Sequence, residues 1–154
     1  MKIYRNIEDF IPVDNAVVTI GTFDGVHIGH QKILDVLKEC AKDVKGETVL
    51  LTFFPHPRMV LQPGDDNLRL INTIDEKIHR LAKNGIDHLI ITPFTTEFSQ
   101  QTPEEYIRDI LINKIGTRKI VIGYDHRFGI DRSGSFEDLL HFAPVFGYSV
   151  KEIA

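Results

Sequence analysis

His27 and His30 stand three residues apart at the end of the run Gly21-Thr-Phe-Asp-Gly-Val-His-Ile-Gly-His30. At a helix start, that spacing lets both imidazoles face one ligand. Gly21, Gly25 and Gly29 fall within nine residues, which marks backbone that turns sharply or comes close to something. Before them, Val17, Val18, Thr19 and Ile20 form a β-branched run suited to a strand covered on both faces. After Gly29 the period becomes helical, with Ile33, Leu34, Leu37, Cys40, Ala41 and Val44 on one face. A strand, a glycine loop and a helix start together make an anion site, because unpaired N–H groups and the positive end of the helix dipole point outward there. Phosphate binding is therefore the first chemistry these residues suggest. Two common phosphate loops do not fit, since there is no G-x-x-x-x-G-K-[ST] and the glycines do not space as G-x-G-x-x-G.

Other polar residues collect after later strands. Pro55, His56 and Pro57 follow one apolar run, and Asp125, Arg127 and Phe128 follow another. Each has a plainer reading beside the functional one. His56 can be a turn residue between two prolines, Asp125 can cap a turn, and Arg127 can pair with Asp131. Phe23 and Phe128 can be core aromatics, and His79, His88 and His141 read as surface or helix-face residues. A zinc site built from Asp24, His27, His30 and His56 has acceptable ligand types, although sequence does not show that they converge.

These residues need elements to bring them together. An edge strand is expected at Lys2 to Tyr4, then the strand ending at Ile20 and a helix stopping near Lys45-Gly46. Thr48 to Phe53 reads as the next strand, and Phe54-Pro-His-Pro-Arg58 ends it, because proline cannot pair in a central strand. Met59 to Ile71 is a long polar loop of the sort that carries function. Thr73 to Glu76 reads as a capping box for a helix with Ile74, Ile78, Leu81 and Ala82 on one face, stopping at Asn84-Gly85. Asp87 to Thr92 is a strand closed by Pro93, and Phe94 to Gln101 a loop. Thr102-Pro-Glu-Glu105 repeats the capping box ahead of Tyr106, Ile107, Ile110 and Leu111. Lys119 to Gly123 is a strand, Ser135 caps a helix bearing Phe136, Leu139, Leu140 and Ala143, and Tyr148 to Ile153 is a last strand. Alternation of this kind calls for an α/β fold with about five parallel strands and helices on both faces. In such sheets ligands bind past the carboxyl ends of the strands. The loops 21–30, 54–58, 93–101 and 124–134 all follow strands, so they should meet along one edge.

Composition narrows the classes of partner. The 154 residues suit one domain with a sizeable core, and 42% hydrophobic with 26% charged residues is ordinary for a globular chain. A net charge of −4 speaks against a broad nucleic-acid footprint but leaves room for a local anion pocket. The single cysteine, Cys40, cannot form a disulfide within the chain and sits on the apolar helix face. The N-terminal MKIYRNIEDF has no long apolar run, so neither a signal peptide nor a membrane span is expected, and the cytoplasm follows as the expected location.

His27-Ile-Gly-His30, placed directly after a strand, resembles the phosphate-binding motif of the nucleotidyltransferase superfamily, whose two histidines hold a nucleoside triphosphate. With Phe53-Phe-Pro-His-Pro57 and Gly123-Tyr-Asp-His-Arg-Phe-Gly129 added, nearly the whole chain resembles the N-terminal FMN adenylyltransferase domain of prokaryotic FAD synthetase. The Pro93-Phe-Thr-x-x-Phe98 loop and Ser135-Phe-Glu-Asp-Leu139 belong to the same likeness. It implies a Rossmann-like nucleotidyltransferase fold and the reaction of ATP with FMN to give FAD and pyrophosphate, with Mg²⁺. It implies that His27 and His30 hold the ATP phosphates, with Gly21, Phe23, Asp24 and Gly29 in the same pocket and Asp125 and Arg127 closing it. Pro55, His56, Pro57 and Phe128 would lie toward the flavin. Members of that family also carry a Ser-Ser-Thr-x-x-Arg-type phosphate grip beyond the matched region and a riboflavin kinase domain. Tyr148 to Ala154 provide neither, so an adenylyltransferase domain over 1–154, cut short at its C-terminus, is expected. Two other functions stay open: a nucleotidyltransferase with another acceptor (pantetheine phosphate, nicotinate mononucleotide or glycerol phosphate) and a non-catalytic nucleotide- or flavin-binding module.

Overall fold

The computed structural model describes residues 1–23, 28–54, 74–123 and 126–153, the side chains of 28 and 29 excepted. Six strands form one parallel sheet: β1 (Lys2–Tyr4), β2 (Ala16–Ile20), β3 (Glu47–Phe53), β4 (His88–Thr92), β5 (Thr117–Gly123) and β6 (Ser149–Ile153). Their spatial order is β1-β4-β3-β2-β5-β6. The helices between them are α1 (Ile28–Asp43), α2 (Ile74–Lys83), the short α3 (Thr96–Ser99), α4 (Pro103–Glu105) and α5 (Phe136–Phe146). Past Glu105, α4 runs on through Tyr106–Ile115 as a π-helix. The strand beyond the expected five is the β1 edge, joined to β4 and held by the Lys2 N–H donating to Asp87 O at 2.9 Å.

Strand alternation sorts the apolar residues into two cores. Val18, Ile20, Val49, Leu51, Ile90, Ile120 and Ile122 face Tyr106, Ile107, Leu111 and Ile115 of the π-helix and Leu139 of α5. Val17, Leu50, Leu89, Ile91 and Val121 face Leu34, Leu37, Cys40 and Ala41 of α1 and Leu81 of α2. The central strands are thus covered on both sides, as their unbroken β-branched and leucine runs require. Each such side chain contributes roughly 1.5–3 kcal/mol by leaving water.

Three expectations about faces need correction. Ala82 is exposed, because the buried stripe of α2 runs through positions 74, 77, 78 and 81 and so takes in Lys77 instead. Leu140 is also exposed; it lies one step off the side of α5 that carries Leu139 and Ala143. His88 is buried on β4, not at the surface: its Nδ1 lies 3.1 Å from the Tyr4 hydroxyl and its Nε2 2.9 Å from Glu47 Oε1. The loop expected at Phe94 to Gln101 contains α3, whose Phe98 N–H donates to Thr95 Oγ1 at 3.0 Å. The caps at Thr102 and Ser135 form as expected, with Glu105 N–H donating to Thr102 Oγ1 at 3.2 Å and Ser135 N–H to Asp138 Oδ2 at 2.9 Å. Thr73 and the loop Met59 to Ile71 lie outside the described residues.

Candidate active site

From β2 the chain moves outward through β3 to β4, then returns to the other side of β2 for β5 and β6. The reversal lies between β2 and β5. A crevice opens at such a point, past the carboxyl ends of the two strands. The loops that follow β2 and β5 are those that carry the histidine motif and the Asp125 to Gly129 stretch.

On the β2 side, the loop is fixed to its neighbour before it reaches the helix. Gly21 N–H donates to Leu51 O at 3.0 Å, and the Thr52 hydroxyl donates to Thr22 O at 3.3 Å. Phe23 then adopts a left-handed backbone with φ 49°, a conformation that costs on the order of 1–3 kcal/mol for a residue other than glycine. Its ring is 3% exposed and lies over Gly21, where a Cβ would stand 2.9 Å from the ring. Glycine is needed at 21 because the phenyl ring fills that space. His30, in the first turn of α1 beside Gly29, meets the Phe23 ring at a centroid distance of 4.9 Å and an interplanar angle of 47°. Gly21, Phe23 and His30 therefore lie together at the β2–α1 junction, with Gly29 next to His30 in the chain. Asp24 and His27 lie outside the described residues.

The helix adds its own field. The first turn of α1 has no acidic residue, whereas α2 begins with Asp75 and Glu76 and α5 with Glu137 and Asp138. Carboxylates at those two starts offset the positive dipole end, and the first turn of α1 carries none of its own.

Across the crevice, Arg127 is exposed, and among the described residues no ion pair joins it to Asp131. Phe128 is buried and paired with Gly134, each N–H donating to the other's carbonyl at 3.2 and 2.8 Å. Ile130 N–H donates to Gln101 O at 2.7 Å and so ties the loop after β5 to the loop after β4. A continuous line of rings runs beneath these loops. Phe53 touches Phe94 and Phe98 at 5.5 Å, Phe98 touches Tyr106 at 5.7 Å, and Tyr106 touches Phe128 at 5.0 Å. Phe54 is half exposed, with its N–H donating to Thr92 O at 3.1 Å. Pro55, His56, Pro57 and Asp125 lie outside the described residues, so the proposed flavin turn is known here only by where it begins. The zinc reading is in the same position, since Asp24, His27 and His56 fall outside. Among the described residues no three His, Cys, Asp or Glu side chains gather in a metal-binding group.

Sequence reasoning did not single out Thr52 or the ring line. Thr52 is a hydroxyl inside an otherwise apolar strand, a signal that it bonds something nearby without saying what. The rings are foreshadowed by four phenylalanines, Phe53, Phe54, Phe94 and Phe98, at the ends of two neighbouring strands. Burial in this layer pushes the Tyr106 phenol well above its usual pKa.

Known proteins resemble this arrangement along the whole chain. A bifunctional riboflavin kinase/FMN adenylyltransferase from Buchnera aphidicola subsp. Acyrthosiphon pisum is 34% identical over 99% of this chain and 49% of its own length. A FAD synthetase from Listeria monocytogenes is 37% identical over 90% of this chain and 55% of its own. Among solved structures, a protein titled macrolide-efflux protein from Streptococcus pneumoniae superposes with a TM-score of 0.85 at 27% identity, over 99% of this chain and 50% of that one. The chain spans about half the length of these relatives. No helix among the described residues is long and apolar enough to cross a membrane. Residues 12–154 match the family described as FAD synthetase, and with that match over most of its length the chain belongs to the FAD synthetase family.

Proposed function

We propose that this chain transfers AMP from ATP to FMN, forming FAD and releasing pyrophosphate. The observation that carries the reading is the β2–α1 junction, where an acid-free helix start and His30 meet at the strand-order reversal. His27 and His30 hold the triphosphate, with the backbone of Gly21, Phe23 and Gly29 and the side chains of Asp24, Asp125 and Arg127 around the nucleotide. Pro55, His56 and Pro57 face the flavin, and Phe128 supports that side from the ring layer below. A phosphate oxygen of FMN attacks the α-phosphorus of ATP in line; that O–P bond forms as the bond to the β-phosphate oxygen breaks. Negative charge builds on the departing pyrophosphate, where the helix dipole and the imidazole donors stabilise it. No protein nucleophile is needed, because positioning and electrostatics carry transfers of this kind.

Mg²⁺ bound together with the nucleotide would screen the phosphate charge. Cytoplasmic location belongs to the same proposal; a chain with one buried thiol and no disulfide suits a reducing compartment.

An acceptor panel tests this reading. With ATP and Mg²⁺ present, pyrophosphate release should require FMN, with FAD accumulating in equal amount. Pantetheine phosphate, nicotinate mononucleotide and glycerol phosphate should give none. Release driven by one of those acceptors in place of FMN would overturn it.

A further inference from the structure

The strained residue at the head of the loop is packed within the protein itself. Phe23 is too deeply buried for its ring to stack on a nucleotide, and yet it holds a left-handed backbone that a phenylalanine rarely adopts. Strain of this kind persists only where the surroundings over-determine it. Here they do so from three sides. Gly21 is hydrogen-bonded to Leu51 O, the carbonyl of Thr22 accepts from the fully buried Thr52 hydroxyl, and the ring occupies the space above Gly21. What this pinned ring touches on its functional side is the imidazole of His30, at 4.9 Å.

We propose that Phe23 is a positioning residue that sets the orientation of the His30 imidazole, and that Thr52, on the neighbouring strand, locks the turn that aims it. His30 follows ten residues after Ile20, the end of β2. A tilted aromatic face at 47° limits the settings open to the imidazole on the first turn of α1, because a ring packed on a ring keeps few relative orientations. Catalysis by positioned donors depends on just this, since displacement by about 1 Å can cost on the order of 10²-fold. The Phe23 side chain then acts through His30, and its ring does not itself touch the substrate. The role of His30 rests on the adenylyl-transfer reading above; the orientation of its ring does not.

The test combines a double-mutant cycle with a spectroscopic readout of His30. Phe23→Leu removes the aromatic wall, and Thr52→Val removes the hydroxyl while keeping the shape of the side chain. Each should lower kcat for FAD formation by about tenfold with little change in the KM for ATP, the pattern of an interaction lost mainly in the transition state. In a His30→Ala background, Phe23→Leu should cost less than about twofold further, because residues that act as a unit are non-additive. Equal losses in both backgrounds would overturn the proposal. Independently of activity, ATP alone should shift the His30 ring resonances of the wild-type protein in NMR spectra, and that response should shrink in folded Phe23→Leu and Thr52→Val. An undiminished response in both variants would overturn the positioning role. A wild-type His30 that ignores ATP would overturn the nucleotide placement, and the positioning role with it. A wild-type protein whose His30 responds to ATP but which makes no FAD would overturn the acceptor reading alone and leave the positioning role to stand on the NMR comparison.

Discussion

Two buried phenols separate what a hydroxyl does when paired from what it does when unpaired. The Tyr148 hydroxyl donates to Leu139 O, whereas Tyr106 Oη is buried with no hydrogen-bond partner among the described residues. Tyr148→Phe should therefore cost about 1 kcal/mol, while Tyr106→Phe should leave stability unchanged or raise it, because an unsatisfied group is removed without altering the ring. Thermal melts of the two variants check this; a loss at Tyr106 as large as at Tyr148 would contradict it. Burial raises both phenol pKa values. A group whose pKa is raised by folding adds stability that is fully present below its unfolded value, about 10 for tyrosine, and lost as pH rises above it. Stability should accordingly fall above about pH 10, less steeply in Tyr106→Phe. At this scale, the candidate site was partly legible. Gly21, Gly29 and His30 follow from residue type and spacing. Thr52 does not, since only the folded chain shows that its hydroxyl reaches Thr22 O thirty residues away. His88 was misread for the same reason: the groups that bury it come from Tyr4 and Glu47, far off in sequence.

Among the elements, α1 follows its apolar period closely, α2 does so except at Ala82, and the helix after Thr102 departs from expectation. Tyr106, Ile107, Ile110, Leu111 and Ile115 are buried on one face, yet the backbone that carries them is a π-helix. An α-helical template finds Tyr106, Ile107, Ile110 and Leu111 but gives no hint of i→i+5 bonding. The buried set predicts unequal costs of truncation. Leu111→Ala should destabilise by about 2–5 kcal/mol, since Leu111 is fully buried between the π-helix and the sheet. Leu140→Ala, on the exposed side of α5, should stay within about 0.5 kcal/mol. Urea denaturation midpoints distinguish them. Comparable losses at both positions would mean that α5 faces the other way.

Across the whole molecule, alternation of strand and helix made the parallel sheet legible, because each crossover must return a strand in the same direction. The strand order was not legible. Nothing in local sequence says that the chain turns back at β2, and it is that reversal which places the β2 and β5 loops on either side of one crevice. The ring line from Phe53 to Phe128 likewise appears only once the end of β3, the segment after β4, the π-helix and the loop after β5 have been brought together.

The account turns on ATP being held at the β2–α1 junction with His30 as a donor. The most direct measurement is FAD formation from ATP and FMN by the wild-type chain and by His30→Ala, with ATP affinity and thermal stability followed in parallel. The account predicts that His30→Ala remains folded and loses about 10²–10³-fold in FAD formation, the usual cost of removing one positioned donor. A folded His30→Ala protein with unchanged ATP affinity and an unchanged rate would contradict it.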